Sequence, residues 1–419
     1  MSSRRVVVTG FGVATSAGFC AEQAWSAVRT SSPAPRVTMK EGDRPLPWVG
    51  EINFAGLPVR KKEINRMNRA DALGVVAALK AVLHSGWTNS EPVNTACLFL
   101  GTTKDTSFHE ELLQLLVPIA RHGYTDGAAQ MVETATRYLT PFALLDCMPN
   151  LALHYVSEIL KLRGDNCCFL HTGAAGTSAI ISAYQSVRSG RAKSALAGGF
   201  DSTLDRLNLA RLSSLGLLAA SPGEAASRPF DRNRDGFLPG EGGAVLFLED
   251  REPALERGAK IYGEILGAGS GCDPAPDRSL QTGVGVECAL RAAFHSAGLR
   301  PRDVGFVVAS GEGTMAGDRA EACGIRRAFD VAADAVPVTA FKGVFGHSMA
   351  ASGPLDCMVA FCALGAGEIP PICGCDDPDE SCCLRLVLGH PLDTSSQVSV
   401  VVSTGLGGQA CALALGRGD

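Results

Sequence analysis

The sequence predicts a layered α/β protein, and two observations support this fold class. Short runs of apolar and β-branched residues alternate with longer segments in which apolar residues recur every three or four positions, in both halves of the chain. The chain also has 419 residues, 46% of them hydrophobic, which is enough to build one or two large cores. We therefore expect mostly buried sheets covered by helices, and we exclude disorder as the general state.

The N-terminal half begins with a predicted strand over residues 4–12, where consecutive valines precede a glycine turn. Helices are predicted over residues 21–30 and 66–84, because apolar residues recur there at helical spacing. The remaining predicted elements of this half are strands over 96–101, 167–170 and 194–199, with a helix that begins within 171–180 and ends near 188.

The C-terminal half repeats the alternation of strands and helices. Strands are predicted over 261–268, 304–309, 336–340 and 384–388, with a hairpin-like pair over 397–403 and 409–415. Helices are predicted over 285–297, 317–329 and 351–364. No long linker separates the halves, so we expect one compact unit whose N-terminal half is 1–250 and whose C-terminal half is 251–419.

The charge balance argues against nucleic acid as a partner. The chain has 38 Lys and Arg against 43 Asp and Glu, a net charge of −5, and no basic stripe with interleaved aromatic residues. The apolar run near the N-terminus is too short for a signal peptide, and no run reaches the ~18 residues of a membrane span. We expect a cytoplasmic protein that binds neither nucleic acid nor a membrane.

The chain contains 15 cysteines, and they are scattered through apolar or small-residue stretches. We interpret most of them as reduced thiols packed in the core. The one local cluster, Cys373 and Cys375 with Cys382 and Cys383, lacks the two-residue spacing of common zinc sites. We therefore expect no metal and no cofactor.

Several short motifs follow one another in a specific order along nearly the whole chain. They are Thr9-Gly10-Phe11-Gly12, the segment 171–180, Ala197-Gly198-Gly199, Arg228-Pro229-Phe230-Asp231, Arg234-Asp235-Gly236-Phe237, Gly240-Glu241-Gly242, Lys342 to His347, and Gly405-Leu406-Gly407-Gly408. Together they resemble the elongating β-ketoacyl-acyl-carrier-protein synthases. The resemblance implies the thiolase fold, a duplicated αβαβα architecture of five layers with two mixed five-stranded sheets. It also implies a dimer that elongates acyl chains by decarboxylative Claisen condensation.

The nucleophile of that family is missing from this chain. The family places a cysteine thiolate at a helix N-terminus, where the dipole lowers its pKa, and the thiolate accepts the acyl chain as a thioester. Its place lies three residues before Gly176 and twenty-five before Gly198, and both distances lead to Gly173. Because glycine has no side chain, no acyl-enzyme can form at this position.

Two histidines and a lysine assist decarboxylation in the family, and only two of these three residues are present here. Glu312 stands in the place of the first histidine, where an ionised carboxylate would repel malonyl unless its pKa were strongly raised. The second histidine and the lysine are matched by His347 and Lys342. We interpret both as structural residues, with the lysine buried against Glu321 or Glu312, so we assign no catalytic residue.

The resemblance also indicates where an acyl chain would run. The gating phenylalanines of the family are replaced by Thr404 and Leu406. The family's acyl tunnel crosses the dimer interface near the segment 104–113, which equally fits plain interface packing. The candidate residues that set chain length are Phe108, His109 and Leu112.

Loss of the nucleophile and one histidine on an intact scaffold resembles the chain length factors of type II polyketide and polyene synthases. The resemblance implies a heterodimer with a catalytically complete ketosynthase, and an acyl carrier protein that carries the growing chain. Many such subunits have glutamine at the nucleophile position, which supports decarboxylation of malonyl groups. Gly173 cannot supply that amide, so a priming decarboxylase role is not expected.

Two other functions remain open from the sequence. One is a homodimeric acyltransferase or atypical condensing enzyme that uses His347, Lys342 and Glu312 as an acid and base set. The other is a structural partner that only stabilises the ketosynthase or docks the carrier protein. Acyl transfer by the purified chain alone distinguishes the first from a chain length factor, and product length distinguishes the second.

Overall fold

A computed structural model describes residues 4–33, 36–38, 45–47, 52–87, 95–104, 110–138, 148–220, 227–275 and 281–418. The helices are α1 Ala21–Arg29, α2 Lys61–Ile64, α3 Arg69–His84, α4 Glu110–Tyr138, α5 Leu151–Leu160, α6 Ala175–Arg188, α7 Arg206–Ser214, α8 Arg251–Glu256, α9 Val284–Ala297, α10 Met315–Phe329, α11 Lys342–Phe345 and α12 Ser352–Ala366. The strands are β1 Val6–Ala14, β2 Arg36–Thr38, β3 Pro45–Pro47, β4 Cys97–Thr102, β5 Asn166–Leu170, β6 Ser194–Ser202, β7 Glu241–Asp250, β8 Gly263–Cys272, β9 Phe306–Val308, β10 Pro337–Thr339, β11 Glu368–Ile369, β12 Arg385–Leu386, β13 Leu392–Asp393, β14 Val398–Thr404 and β15 Gln409–Arg417.

Within the described ranges, eleven strands form one mixed sheet in the order β12-β10-β9-β14-β15-β8-β1-β7-β6-β4-β5. The strands of the first 250 residues occupy one end of this order, and the later strands occupy the other. The two groups meet where β1 pairs antiparallel with β8, with Val6 opposite Ile265. The mixed α/β fold class is confirmed, but the two expected five-stranded sheets are hydrogen-bonded edge to edge, and β12 adds a strand. The division of the chain at residue 250 stays a prediction.

Both faces of the sheet are buried, which produces a layered packing. Along β7, Leu246 and Leu248 face a central core that contains α6 and α12. Val245 and Phe247 point to the opposite face, where a second core contains α3 and α5. A third core lies between α9, α10 and the C-terminal strands. These three helical layers and the two groups of strands agree with the five layers implied by the resemblance.

The elements predicted from periodicity occur within a few residues of their expected positions, but several others were not predicted. The strand β7 begins in a glycine-rich stretch that reads as a loop, yet every residue from Glu241 to Asp250 is buried. The helices α4, α5 and α7 were also missed. Helix α4 is interrupted at Gly123, whose φ of 76° is not helical.

One apolar segment, Met349–Ala366, has the length and hydropathy of a membrane span. Because 83% of that segment is buried inside the fold, it is a core helix. No group of His, Cys, Asp or Glu suited to hold a metal ion occurs among the described residues.

Candidate functional site

The loop that precedes α6 carries Gly173, the position of the missing nucleophile. Strand β5 leads into this loop, and a turn in which the Ala175 N–H donates to the Thr172 carbonyl at 2.9 Å begins the helix. Gly173 therefore lies at a helix N-terminus, as the chemistry of an acyl-accepting thiolate requires. The backbone of a nucleophile site is present without the nucleophile.

Other chain segments occupy the space next to Gly173. A Cβ atom built on this glycine would lie 3.3 Å from His347 Cε1. The same atom would lie closer than 3.0 Å to the carbonyl oxygen of Thr404, a distance that real Cβ atoms essentially never show. Three residues predicted from separate motifs thus converge, but the Thr404 carbonyl fills the place that a side chain would need.

His347 is 1% exposed and is held from several sides. Its Nδ1 accepts a hydrogen bond from the Met349 N–H at 3.0 Å, and its ring lies 4.8 Å from the Phe237 ring, centroid to centroid. The chain reaches this position from α11 through Gly346, whose φ of 74° lies in the left-handed region that favours glycine. The Met349 contact requires an unprotonated Nδ1, so the ring is oriented by the backbone.

Lys342 is 3% exposed and contributes to a hydrogen-bonded chain. Its Nζ donates to the Ser310 carbonyl and, at 3.1 Å, to Ser310 Oγ. The Thr404 hydroxyl donates to the same Oγ at 2.9 Å. The lysine therefore ties the end of β9 to the end of β14. The carboxylate oxygen paired with it is Asp356 Oδ2 at 3.9 Å, whereas the sequence suggested Glu321 or Glu312.

Three buried carboxyl groups surround this lysine. Burial raises the pKa of Glu321 and of Asp356 to about 7, and that of Asp318 to about 6, while the charge of Lys342 acts in the opposite direction on all three. Glu321 accepts the Ser310 and Gly311 N–H groups at 2.7 and 2.8 Å. Ser310 is thus fixed through its N–H, its carbonyl and its hydroxyl.

Glu312, which replaces the first histidine of the family, is also buried. It accepts a hydrogen bond from the Thr314 hydroxyl. Its Oε1 lies so close to Gly317 that a Cβ there would approach it within 3.0 Å. The carboxylate therefore sits against the N-terminal turn of α10, where the helix dipole favours negative charge.

The glycine loop, residues 404–408, closes over the loop before α6. The Leu406 N–H donates to Thr172 Oγ1 at 2.6 Å, and Thr404 bonds to Ser310 as described. Thr404 and Leu406, which stand where the family has gating phenylalanines, thus hold this loop against residues 172 and 173. No bulky gate occupies those two positions.

A cavity of ≈ 270 Å³ opens beside this site, at the carboxyl ends of β4 and β5. Its lining residues are Thr102, Thr103, Lys104, Pro149, Leu170, His171 and Thr172. Of the predicted length-setting residues, Phe108 and His109 lie outside the described residues. Leu112 lies in α4, and only its backbone is described.

Strand β5 is the outermost strand at its end of the described sheet. Its last residue, Leu170, is 54% exposed, which is unusual for a leucine in a strand. Other exposed apolar side chains of the same part of the chain are Leu116, Val132 and Met148. A strand with no neighbour on its outer side among the described residues, ending in an exposed leucine, is typical of a surface that pairs with another chain.

Three residues of the site were missed by the sequence reasoning. Ser310 directly follows the predicted strand 304–309. The only sequence signal for a role of Ser310 was its position at the start of a glycine-rich segment. Asp356 lies in an otherwise apolar helix, and a lone acid in such a helix indicates a buried partner. His171 lies two residues before Gly173, and the motif that contains it predicts no separate role for its side chain.

Family models match most of the chain. The model described as Beta-ketoacyl synthase, N-terminal domain, matches residues 3–254, and the one described as Beta-ketoacyl synthase, C-terminal domain, matches residues 262–376. The 3-oxoacyl-(acyl-carrier-protein) synthase 2 of Synechocystis sp. is 29% identical over 429 aligned positions, with 99% of this chain and 98% of the relative covered. The same enzyme of Staphylococcus aureus strain COL is 28% identical over 423 positions, with 98% of each covered.

Solved structures give the same result for the fold. The ishigamide ketosynthase/chain length factor has a TM-score of 0.84 at 27% identity, and covers 99% of this chain and 100% of its own. A type II polyketide synthase acyl-carrier protein in complex with its ketosynthase, bound to the hexaketide, has a TM-score of 0.83 at 21% identity, with 99% and 100% covered, and shows the shared fold alone. The thiolase fold is confirmed, and the chain belongs to the β-ketoacyl synthase family.

Proposed function

We propose that this chain is a chain length factor: a non-catalytic subunit that pairs with an active ketosynthase and shapes the tunnel for the growing acyl chain. The observation that carries the proposal is the crowding at Gly173, where the Thr404 carbonyl oxygen lies within 3.0 Å of the position that a nucleophile's Cβ would take. An acyl carrier protein delivers the chain to the complex. The relatives named above support the scaffold, and the chain length factor role is our inference.

Two nearby thiols, those of Cys168 and Cys411, are poor substitutes for the missing nucleophile. Burial raises the pKa of Cys168, in the preceding strand, to about 12. Burial also raises the pKa of Cys411, next to Ser178 of α6, to about 11. Because the thiolate is the nucleophile, neither thiol is reactive near neutral pH.

The alternative of an atypical acyltransferase is weakened by the contacts of its three candidate residues. Lys342 is hydrogen-bonded to Ser310, Glu312 accepts from Thr314, and His347 Nδ1 accepts a backbone N–H. Each group already makes a structural contact, and a Cβ at Gly173 would lie only 3.3 Å from His347 Cε1. A substrate carbonyl and its attacking group would need room that is taken by the Thr404 carbonyl.

The edge of β5 supports pairing with another chain. Its outer side carries no strand among the described residues, and Leu170 projects from it into solvent. A partner strand added there would satisfy the free backbone groups and cover the apolar side chains. The resemblance to the ishigamide ketosynthase/chain length factor favours a ketosynthase as that partner.

The cavity at the ends of β4 and β5 supports a tunnel function. Its lining includes Leu170, at the end of β5, and Thr172, the residue before Gly173, so an acyl chain that enters from a partner across the β5 edge would reach it. Lys104 lines the cavity and is the first residue of the segment 104–113, which holds Phe108 and His109. We retain Phe108, His109 and Leu112 as the proposed length-setting residues.

The first experiment separates a non-catalytic subunit from an enzyme. The purified chain is incubated with malonyl- and acyl-carrier protein, alone and with the ketosynthase that co-purifies with it. We expect no decarboxylation and no acyl transfer by the chain alone, and elongation only in the complex. Acyl transfer by the chain alone would overturn the proposal.

The second experiment separates a chain length factor from a purely structural partner. Phe108→Ala in the co-expressed complex should lengthen the products, because a smaller side chain extends the tunnel. Leu215→Ala, at an exposed leucine remote from the predicted tunnel segment in the sequence, is the control and should leave product length unchanged. Unchanged length in variants at Phe108, His109 and Leu112 together would favour the structural partner.

A further inference from the structure

The end of β4 forms one wall of the cavity and is held by two buried carboxylates. Thr102, Thr103 and Lys104 line this wall. One carboxylate belongs to Asp201, near the end of β6, and the other to Asp71, in the first turn of α3. These two residues are 2% and 0% exposed. The wall is therefore connected both to the neighbouring strand and to a helix that packs on the sheet.

Asp201 fixes the two threonines. Its Oδ1 accepts the Thr102 hydroxyl and the Thr103 N–H, each at 2.8 Å, and the Thr103 hydroxyl at 2.9 Å. Its Oδ2 accepts the Ala350 N–H at 2.8 Å. Burial raises the pKa of Asp201 to about 6, so most of the group is ionised at neutral pH and can only accept. Both hydroxyl protons then point to the carboxylate, which fixes both side chains.

Lys104 makes the contact with the second carboxylate. Its N–H donates to Thr102 Oγ1 at 3.1 Å, and its Nζ donates to Asp71 Oδ2 at 2.9 Å. The Lys104 side chain is 9% exposed, and that of Asp71 is fully buried. Asp71 is itself held by α3, because its N–H donates to the Asn68 side chain at 2.8 Å and the helix dipole favours a carboxylate in the first turn.

A buried ion pair of this kind contributes geometry more than stability. Removing two charges from water costs about as much as their attraction returns, so well-packed apolar residues of the same volume are often equally stable. Apolar residues lack the directional contact that a hydrogen bond between ammonium and carboxylate provides. The residues that follow this contact in the chain are 105–113, which include Phe108, His109 and Leu112.

We propose that Asp71, Asp201 and Lys104 are positioning residues that fix the direction in which the chain leaves β4, and that product length depends on them. The inference rests on the proposed function and adds these three residues to the control of product length. They act through the residues that follow Lys104, so they need not contact the acyl chain.

The test measures the distribution of product lengths made by the complex with its co-purified ketosynthase. Lys104→Met removes the ammonium group and keeps a side chain of similar length. We expect the ratio of the main product to all other lengths to fall about two- to tenfold, the population ratio that one hydrogen bond controls.

The Asp201 contact has its own pair of variants. Thr103→Val replaces the hydroxyl by a methyl group of similar size and should broaden the distribution in the same way. Thr103→Ser keeps the hydroxyl and should give the natural product lengths. Because Thr103→Val changes a single group, it also tests the inference if Lys104→Met does not fold.

A merely structural role predicts a different result for a matched control. Arg257 pairs with the buried Glu249, with Nε and Oε1 3.0 Å apart. Glu249 lies opposite Ser194, at the other end of β6 from Asp201. Arg257→Met removes this pair and should lower the urea midpoint without changing the product lengths. If it broadens the distribution as much as Lys104→Met does, product length follows stability alone and the inference is wrong.

The double variant Asp71→Leu with Lys104→Met separates geometry from stability. Apolar residues in place of both charges should bring the urea midpoint back towards that of the natural chain and leave the distribution broad. A natural distribution in the double variant, in Lys104→Met or in Thr103→Val would overturn the inference.

Failure of this inference is distinguishable from failure of the proposed function. Natural product lengths in these variants, together with altered lengths in Phe108→Ala, would refute the inference and leave the chain length factor role intact. Natural product lengths in all of them, or acyl transfer by the chain alone, would refute the proposed function as well.

Discussion

Restoring a cysteine at position 173 should fail to restore acylation. Gly173→Cys places a Cβ within 3.0 Å of the Thr404 carbonyl oxygen, so the backbone of Thr404 must move. Thr404 is the last residue of β14, pairs with Ala410 of β15 and donates to Ser310 at 2.9 Å. Overpacking of this kind costs about 1–3 kcal/mol, and the strained hydrogen bond about 1 kcal/mol. We expect Gly173→Cys to lower the free energy of unfolding by about 2–4 kcal/mol.

The assay combines stability with thiol chemistry. Urea unfolding of the purified chain measures the stability loss, and mass spectrometry after incubation with acyl-carrier protein measures thioester formation. Gly173→Ala isolates the effect of the Cβ and should already cost most of the stability. Gly365→Ala in α12 is the matched control, because a Cβ there meets nothing within 4 Å and the change should stabilise by ~0.5–1 kcal/mol. A Gly173→Cys variant as stable as the natural chain and stoichiometrically acylated would refute the reasoning.

The remaining predictions concern pH, a buried lysine and the strand edge. Burial lowers the pKa of His84 in the folded chain. Below about pH 6.5 this histidine is therefore protonated more readily in the unfolded chain than in the folded one, and the free energy of unfolding should fall as the pH decreases. His84→Gln should flatten that dependence in urea titrations between pH 5 and 8, and an unaltered curve would contradict it. Lys342→Met should lower the free energy of unfolding by about 3 kcal/mol, because it leaves buried polar groups without their partner. If the variant is as stable as the natural chain but its complex no longer elongates acyl chains, Lys342 has a catalytic role. Leu170→Asp should prevent co-purification with the ketosynthase, whereas Leu83→Asp, at an exposed leucine of α3, should not.

The site was partly predictable from motif spacing. Counting from two glycines identified position 173, and the structure brings His347 Cε1 within 3.3 Å of a Cβ built there. The prediction of position 173 succeeded because residue spacing within a continuous strand, turn and helix determines where each side chain lies in that segment. Lys342 was expected to be buried against Glu321 or Glu312; it is buried, but its hydrogen-bond partner is Ser310.

The fold was predictable to the extent that periodicity reports burial. Amphipathic helices and apolar strands such as β6 were found within a few residues. Strand β7 was missed because its glycine-rich start reads as a loop, although Gly243 packs against Leu73 of α3, where a Cβ would lie 2.5 Å from the Leu73 carbonyl oxygen. A glycine that permits close packing and a glycine that permits a turn look identical in the sequence.

The sequence by itself determined the family, the layered α/β architecture and the absence of a nucleophile, because each follows from residue identity and local spacing. The tertiary structure alone decided two other points: the Thr404 carbonyl oxygen crowds the position that a Cβ would take at Gly173, and Lys342 bonds to Ser310. Each of these depends on how strands and loops far apart in the chain meet. Such contacts arise from the packing of the whole core, and no local pattern encodes them.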